Sequence, residues 1–137
     1  MKECSCIFCK IANGEIPSTT LYEDKDFRVI LDLGPAARGH ALLIPKEHYA
    51  DLFDLDESLA ARAIVTAKRV ALKIKNALGA TGFNLVQNNG EDAGQTVFHF
   101  HMHLIPRYPD DHAGIAWNPG KADQEDMEEI KRLVDGQ

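Results

Sequence analysis

The chain has 137 residues, of which 45% are hydrophobic and 26% charged, a globular composition that excludes fibrous and low-complexity proteins. This length predicts a single domain, 1–137. The formal net charge of -6 disfavours general nucleic-acid binding, because phosphates would be repelled. The apolar runs are far shorter than the roughly 20 residues that cross a membrane, and the N-terminus does not resemble a signal peptide. We therefore expect a cytoplasmic protein with neither a nucleic-acid nor a membrane partner.

Hydrophobic periodicity and turn residues predict the elements in chain order. The first half predicts a short helix at 7–13, strands at 21–23 and 27–31 around a polar turn, and a third strand at 39–45. The second half predicts a long helix at 56–78, strands at 82–88 and 97–107, and a short acidic surface helix at 123–134. This order indicates an α+β domain with a mainly antiparallel sheet of about five strands, one long helix and short terminal helices.

The long helix carries two apolar strips. The first predicts its buried face and consists of Ala60, Ile64, Ala67, Ala71, Ile74 and Leu78. The second is narrower, consists of Ala61, Val65 and Leu72, and would be left exposed in a monomer. The second strip is modest support for a dimer.

The strand at 97–107 contains the run His-Phe-His-Met-His-Leu-Ile. Side chains alternate between the faces of a strand, so His99, His101 and His103 share one face, while the apolar residues between them face the core. Such histidines can hold a catalytic zinc ion, or one can be a nucleophile flanked by phosphate-binding and proton-transfer groups. The preceding amides and hydroxyl, in Asn88-Asn89-Gly90 and Gly94-Gln95-Thr96, suit phosphate oxygens and favour the second interpretation.

Cys6 and Cys9 form a Cys-x-x-Cys pair near the N-terminus. By itself this pair fits zinc binding, redox chemistry or neither. A redox pair is expected where a strand enters a helix in a thioredoxin-like unit, and no such unit precedes it. In the cytoplasm the thiols stay reduced, which favours metal ligands or core residues over a disulfide framework.

The histidine run resembles the signature of the histidine triad superfamily. Other segments are similar to its Hint branch, from about Cys6 to Arg107: Asp32-Leu33, Gly39-His40-Ala41-Leu42-Leu43-Ile44-Pro45-Lys46-Glu47-His48, Asn88-Asn89-Gly90, Gly94-Gln95 and Ile105-Pro106-Arg107. The signature-bearing core is thus about 6–107, followed by a C-terminal segment at 108–137. The resemblance implies the fold of this family and a homodimer whose sheets join, with the long helices adjacent.

The resemblance also implies an activity and its residues. The expected enzyme is a purine nucleotidyl hydrolase or transferase that acts on nucleoside phosphoramidates carrying an AMP or GMP moiety. His101 would be the nucleophile that forms a nucleotidyl-histidine, and His103 and His40 would contact the phosphate or help protonate the leaving group. The nucleotide site would be completed by Gln95, Thr96 and Val97 at the phosphate oxygens, Asn88 nearby, Asp32 at the ribose, and Phe8 and Leu33 at the base.

By the same resemblance, some bacterial members pair an N-terminal Cys-x-x-Cys with two histidines. The corresponding ligands here would be Cys6, Cys9, His48 and His99, holding one structural Zn²⁺ per chain and leaving Cys4 as an odd thiol. This set removes His99 from proton transfer.

Three other functions stay open. One is a dinucleoside polyphosphate hydrolase of the Ap4A or Ap3A type, another is a zinc-stabilised nucleotide-binding interaction protein with vestigial catalysis, and the third is a metal hydrolase using all three triad histidines.

Overall fold

A computed structural model describes residues 5–137, and Cys4 lies outside them. The elements, in chain order, are α1 (Ile7–Ala12), β1 (Thr20–Glu23), β2 (Phe27–Leu31), β3 (Ala41–Pro45), α2 (Glu57–Leu78), β4 (Gly82–Val86), a single 3-10 turn (Glu91–Ala93), β5 (Met102–Arg107) and α3 (Gln124–Asp135). The strands form one sheet in the order β1-β2-β3-β5-β4, with every neighbouring pair antiparallel. The predicted fold class is confirmed.

The long helix begins and ends where its sequence specifies. Asp56 accepts a hydrogen bond from the backbone N–H of Leu59 at 3.0 Å, and Gly79 ends the helix with a φ of 68°. The buried face is Leu59, Ala63, Thr66, Ala67, Val70 and Ile74, so the predicted face is only partly correct. Ile64 is half-exposed because the buried face is centred on Ala63, Ala67, Val70 and Ile74. The periodicity alone did not distinguish this row of residues from the adjacent row that contains Ile64.

The two faces of the sheet bury different clusters. On one face, α2 packs against Phe27, Val29, Leu43, Phe100 and Leu104. On the other, α1 places Phe8 and Ile11 against a smaller cluster of Ala12, Ile30, Leu42 and Ile44. The second face, with its short covering helix, leaves room for a site.

The histidine run departs from the predicted strand. β5 begins only at Met102, and its first pair with β3 joins Met102 to Leu43, so residues 97–101 lie outside the ladder. The backbone N–H of Phe100, for example, donates to the carbonyl of Tyr49 at 2.6 Å. The predicted alternation of faces holds, since Phe100 and Leu104 lie in the core cluster. The strands predicted at 82–88 and 39–45 are also shorter, at Gly82–Val86 and Ala41–Pro45.

The C-terminal segment runs over the surface. After β5 the chain has no regular structure until α3, an acidic helix with no buried residue, as predicted for the surface. The side chain of Arg107 donates to both carboxylate oxygens of Asp111 at 2.9 Å each, which holds the first residues of this segment against the end of β5. Within residues 5–137, no helix has the length and apolarity needed to span a membrane.

Candidate active site and metal centre

His101 is a buried imidazole with one defined tautomer. Its Nδ1 lies 2.8 Å from the backbone carbonyl oxygen of His99. Because a carbonyl can only accept, Nδ1 carries the proton and donates, and Nε2 keeps its lone pair. The ring of Phe8 packs edge-on against it, with centroids 4.9 Å apart. His101 therefore presents a fixed, unprotonated nitrogen that can act as a nucleophile.

His40 and His103 form a hydrogen-bonded chain beside it. The backbone N–H of Ala36 donates to Nδ1 of His40 at 2.9 Å, so the proton of His40 sits on Nε2. That Nε2–H donates to Nδ1 of His103 at 2.9 Å, which leaves the proton of His103 on its own Nε2. Asp32 lies 3.5 Å from Nε2 of His40. His103 thus presents an N–H donor, the complement of the lone pair on His101.

The electrostatics keep these imidazoles neutral. Burial, with repulsion from His101 and His40, lowers the pKa of His103 to about 4. Burial also lowers the pKa of His101 and, against the opposing charge of Asp32, the pKa of His40. At neutral pH His101 and His103 are therefore both in the protonation state that the hydrogen bonds assign.

Four predicted metal ligands come together at the start of α1. One ligand atom each from Cys6, Cys9, His48 and His99 lies within 4.8 Å of the others. Nδ1 of His99 is 3.4 Å from the sulfur of Cys6 and 3.5 Å from that of Cys9, and Nδ1 of His48 is 3.4 Å from the Cys9 sulfur. This is the set that the resemblance implies.

The tautomer of His99 fits metal binding. Its Nε2 donates to the carbonyl oxygen of Pro45 at 2.9 Å, so Nδ1 is the lone-pair nitrogen, and it faces the two thiols. Burial lowers the pKa of His99 to about 4, which keeps the ring neutral. Two thiols and two imidazoles are the donor set of a closed, structural zinc site.

A second cluster, formed by Asp32, His40 and His103, is equally close but does not fit a metal ion. The bond from Ala36 places the proton of His40 on Nε2, the nitrogen that would have to bind the metal. The triad is also divided, because His99 belongs to the cysteine cluster and His103 to the chain with His40. This division does not favour a metal hydrolase that uses all three triad histidines.

The predicted phosphate-binding residues lie around two openings. Asn88 lines one opening together with His40 and His103. Thr96 and Val97 line the other, next to Cys6 and His48. The side chain of Gln95 is buried and engaged within its loop: it donates to the carbonyls of Ala50 and Val97 at 2.7 and 3.1 Å and accepts from the backbone of Gly90 at 2.8 Å. In this geometry Gln95 shapes the loop.

The residues predicted at the ribose and base lie near the histidines but differ in exposure. Asp32 accepts from the backbone of Gly34 at 2.8 Å, with its second oxygen toward His40. Phe8 is half-buried against His101, whereas Leu33 is fully exposed and is not a core residue.

The sequence did not place the segment after β5, and the structure does. Ile115, Ala116 and Trp117 line the same opening as His40 and His103, and the ring of Trp117 is largely exposed. Arg107 and Asp111 hold the start of this segment. Arg107 ends β5 and Asp111 follows a turn, so the helical i,i+4 rule does not apply and no sequence signal indicated the pair.

Comparison with known proteins places this geometry in a family. The HIT domain model matches residues 13–110, and the chain belongs to this histidine triad family. The protein hit of Bacillus subtilis is 40% identical over 133 residues, 95% of this chain and 92% of that protein. The adenosine 5'-monophosphoramidase HNT1 of Saccharomyces cerevisiae is 41% identical over 133 residues, 96% of this chain and 79% of that protein.

Solved structures agree with the family and its fold. A HIT family protein from Bacillus anthracis has a TM-score of 0.89 at 40% identity, covering 97% of this chain and 96% of that one. A Zn-bound histidine triad family protein from Mycobacterium smegmatis has a TM-score of 0.77 at 36% identity, covering 97% of this chain and 98% of that one. Together with the family model and the relatives named as adenosine 5'-monophosphoramidases, these matches assign the chain to the Hint-like branch of the HIT-family hydrolases.

Proposed function

We propose that the protein hydrolyses purine nucleoside phosphoramidates, such as AMP joined through nitrogen to an amine, by a covalent nucleotidyl-histidine on His101. The observation that carries this proposal is the pairing of two neutral imidazoles with opposite roles. His101 holds a lone pair on Nε2, and His103 holds a proton on Nε2, each fixed by its other nitrogen. The activity named for the yeast relative supports the same substrate class.

The reaction divides into two steps that share these groups. In the first, Nε2 of His101 attacks the α-phosphorus and forms a phosphorus–nitrogen bond as the bond to the leaving amine breaks. The amine takes a proton from Nε2 of His103 and departs, and solvent returns a proton to this nitrogen, so His103 is neutral again before the second step. In the second, a water molecule attacks the phosphorus and releases its proton to solvent, which breaks the bond to His101 and releases the nucleoside monophosphate.

The remaining predicted residues would bind the nucleotide. We assign Asp32 to the ribose hydroxyls, Phe8 and Leu33 to the purine, and the loop at 95–97 with Asn88 to the phosphate oxygens. The exposure of Leu33 and the opening that Asn88 shares with His40 and His103 are consistent with these contacts. Gln95 would act by shaping the loop, because its side-chain amide already bonds to Ala50 and Val97.

The substrate class is tested by a panel of adenosine and guanosine phosphoramidates beside dinucleoside polyphosphates. We expect higher kcat/KM for the phosphoramidates, and a nucleotidyl group on His101 when turnover is quenched. Preference for the dinucleotides would favour the polyphosphate hydrolase, and nucleotide binding without turnover would favour the interaction protein.

We also propose that the cluster of Cys6, Cys9, His48 and His99 binds one structural Zn²⁺. The tautomer of His99, the neutral ring and the two thiols support zinc as the ion. A closed set of four ligands ties α1 to the chain after β3 and to the histidine run. Reduced thiols are consistent with action in the cytoplasm.

A homodimer is the assembly that the exposed surface supports. β4 is an edge strand of the sheet, and Leu85 on this strand is 44% exposed although it pairs with the buried Leu104. Ala61 and Val65 line a groove on the side of α2 that faces β1. Ile64 is rotated by about 100° from Val65 around the helix axis, so it lies on the opposite side of α2, toward β4. A second copy that pairs with β4 would cover Leu85 and Ile64.

A further inference from the structure

The segment that carries the nucleophile is not held by the sheet. His99 and His101 precede β5, and the ladder begins only at Met102. His99 is completely buried, and its ring is fixed from both sides: Nε2 donates to Pro45, and Nδ1 faces the thiols of Cys6 and Cys9. On the Nδ1 side, the ring of His99 is therefore held by the metal cluster, while Pro45 and the core residue Phe100 hold the rest of it.

Two contacts join this cluster to His101. The ring of His99 is a predicted metal ligand, and its backbone carbonyl accepts the Nδ1–H of His101 at 2.8 Å. Phe8, which lies between the two cysteines on α1, packs edge-on against both histidines, with centroids 6.1 Å from His99 and 4.9 Å from His101. The carbonyl that sets the tautomer of His101 thus belongs to the predicted ligand His99. The ring that orients His101 belongs to Phe8, on the same short helix as Cys9.

We propose that metal occupancy of the cysteine cluster positions the nucleophile, with His99 and Phe8 as positioning residues. This inference rests on the proposed function and adds a regulation of the same site: the rate of attack by His101, and not the affinity for nucleotide, follows the metal content. When bound, zinc replaces weak thiol–imidazole contacts with bonds of fixed direction. His99 then holds its carbonyl at the place where Nδ1 of His101 requires it.

The experiment compares wild type with His48→Ala and with His48→Cys. His48 contacts Cys9 and His99, so its loss weakens metal binding without removing either positioning residue. We expect His48→Ala to lose zinc and to lower kcat roughly 10- to 100-fold while KM stays within about twofold, because a displaced nucleophile slows the chemical step. His48→Cys restores four ligands and should restore both zinc and kcat.

A spectroscopic measurement tests the positioning without any substrate. The ¹⁵N shifts of the His101 ring should report a single Nδ1–H tautomer in the zinc-loaded protein and a mixture of tautomers in His48→Ala. Val70→Ala is the matched control, since it removes buried volume beneath α2, on the opposite face of the sheet. It should lower the Tm and leave zinc, kcat and the His101 shifts unchanged.

Three results would overturn the proposal: wild type without bound zinc, a folded zinc-free protein with unchanged His101 shifts and kcat, or the same changes in Val70→Ala. If the zinc-free forms do not fold, wild type loaded with the larger Cd²⁺ replaces them. Its His101 shifts should differ from those of the zinc form, and identical shifts would contradict the coupling. Because the shifts need no turnover, absence of phosphoramidase activity would count against the proposed function alone.

Discussion

Nε2 of His40 donates a hydrogen bond to Nδ1 of His103 at 2.9 Å, and this bond decides which nitrogen of His103 carries its proton. His40 can donate only because the backbone N–H of Ala36 occupies its other nitrogen, at 2.9 Å. The donor that we assign to the leaving group is therefore set by a residue 63 positions away in the sequence.

This relation predicts a graded loss of activity across the three histidines. His101→Ala removes the nucleophile, so turnover should fall by several orders of magnitude while AMP binding stays nearly unchanged. His103→Ala and His40→Ala should each cost less, roughly 100-fold, because they remove or misdirect the proton donor. Steady-state kinetics and AMP titration would check both. Near-normal turnover in His101→Ala, or an adduct on another histidine, would contradict the roles.

The pH dependence of stability follows from the buried His103. Its pKa is about 4 in the folded state, and an unperturbed imidazole in the unfolded chain has a pKa of about 6.5. Between these values the unfolded chain binds more protons, so the contribution of His103 to the free energy of unfolding is complete above pH 6.5 and is lost as the pH falls toward 4.

Denaturant unfolding from pH 7 to pH 4 would measure this contribution. The free energy of unfolding of wild type should fall more steeply with decreasing pH than that of His103→Asn, which has no titrating ring at this position. The zinc ligands are intact in both proteins, so acid release of metal affects both curves. Parallel curves would show that His103 does not titrate as its burial requires.

Removal of the metal ligands should lower stability as well as metal content. In Cys6→Ser/Cys9→Ser, bound zinc should be absent and the Tm reduced, because the energy of a closed site contributes to folding. Metal analysis and thermal unfolding provide the measurement. Full zinc content in the double variant would refute the ligand set, and loss of zinc with an unchanged Tm would refute a structural role.

Gly39 is required where the chain enters β3. It has a φ of +89°, and a Cβ at this position would lie 2.5 Å from Cδ1 of Leu78. Gly39→Ala should therefore destabilise the fold by about 2 kcal/mol or more, through backbone strain and overpacking. Gly114→Ala is the control, since a Cβ there meets nothing within 4 Å. Equal free energies of unfolding for the two variants would contradict this explanation.

The sequence predicts elements with strong local signals better than it predicts their pairing. The bounds of α2, predicted at 56–78 and observed at Glu57–Leu78, and the alternating faces of the histidine run depend on neighbouring residues, and they were predicted well. The start of β5 at Met102 was not predicted, because it depends on distant contacts such as the bond from the backbone N–H of Phe100 to the carbonyl of Tyr49. Periodicity also could not show which apolar row of α2 faces the core: the row with Ala63, Ala67 and Val70 is buried, whereas Ile64 is half-exposed.

For the candidate site, too, the sequence predicts the residue types but not the contacts between distant residues. The residue types of the metal cluster and the triad are visible in the printed sequence, and the structure brings the four predicted ligands together. The tautomers are not visible there, because they depend on backbone groups of Ala36, Pro45 and His99 that any residue could supply.

The dimer can be tested by comparing two sides of helix α2, the side with Ile64 and the side with Val65. If a second copy pairs with β4, Ile64 becomes buried beside it, so Ile64→Asp should shift the dimer toward monomer by placing a charge in an apolar interface. Val65→Asp is the matched control, because Val65 is similarly exposed, 45% against 50% for Ile64, but lines the groove on the β1 side. Sedimentation at micromolar concentration would measure both. Dissociation by Val65→Asp alone would place the interface on the Ala61, Val65 and Leu72 strip instead, and a wild-type species of 15.2 kDa, the mass of one chain, would exclude the dimer.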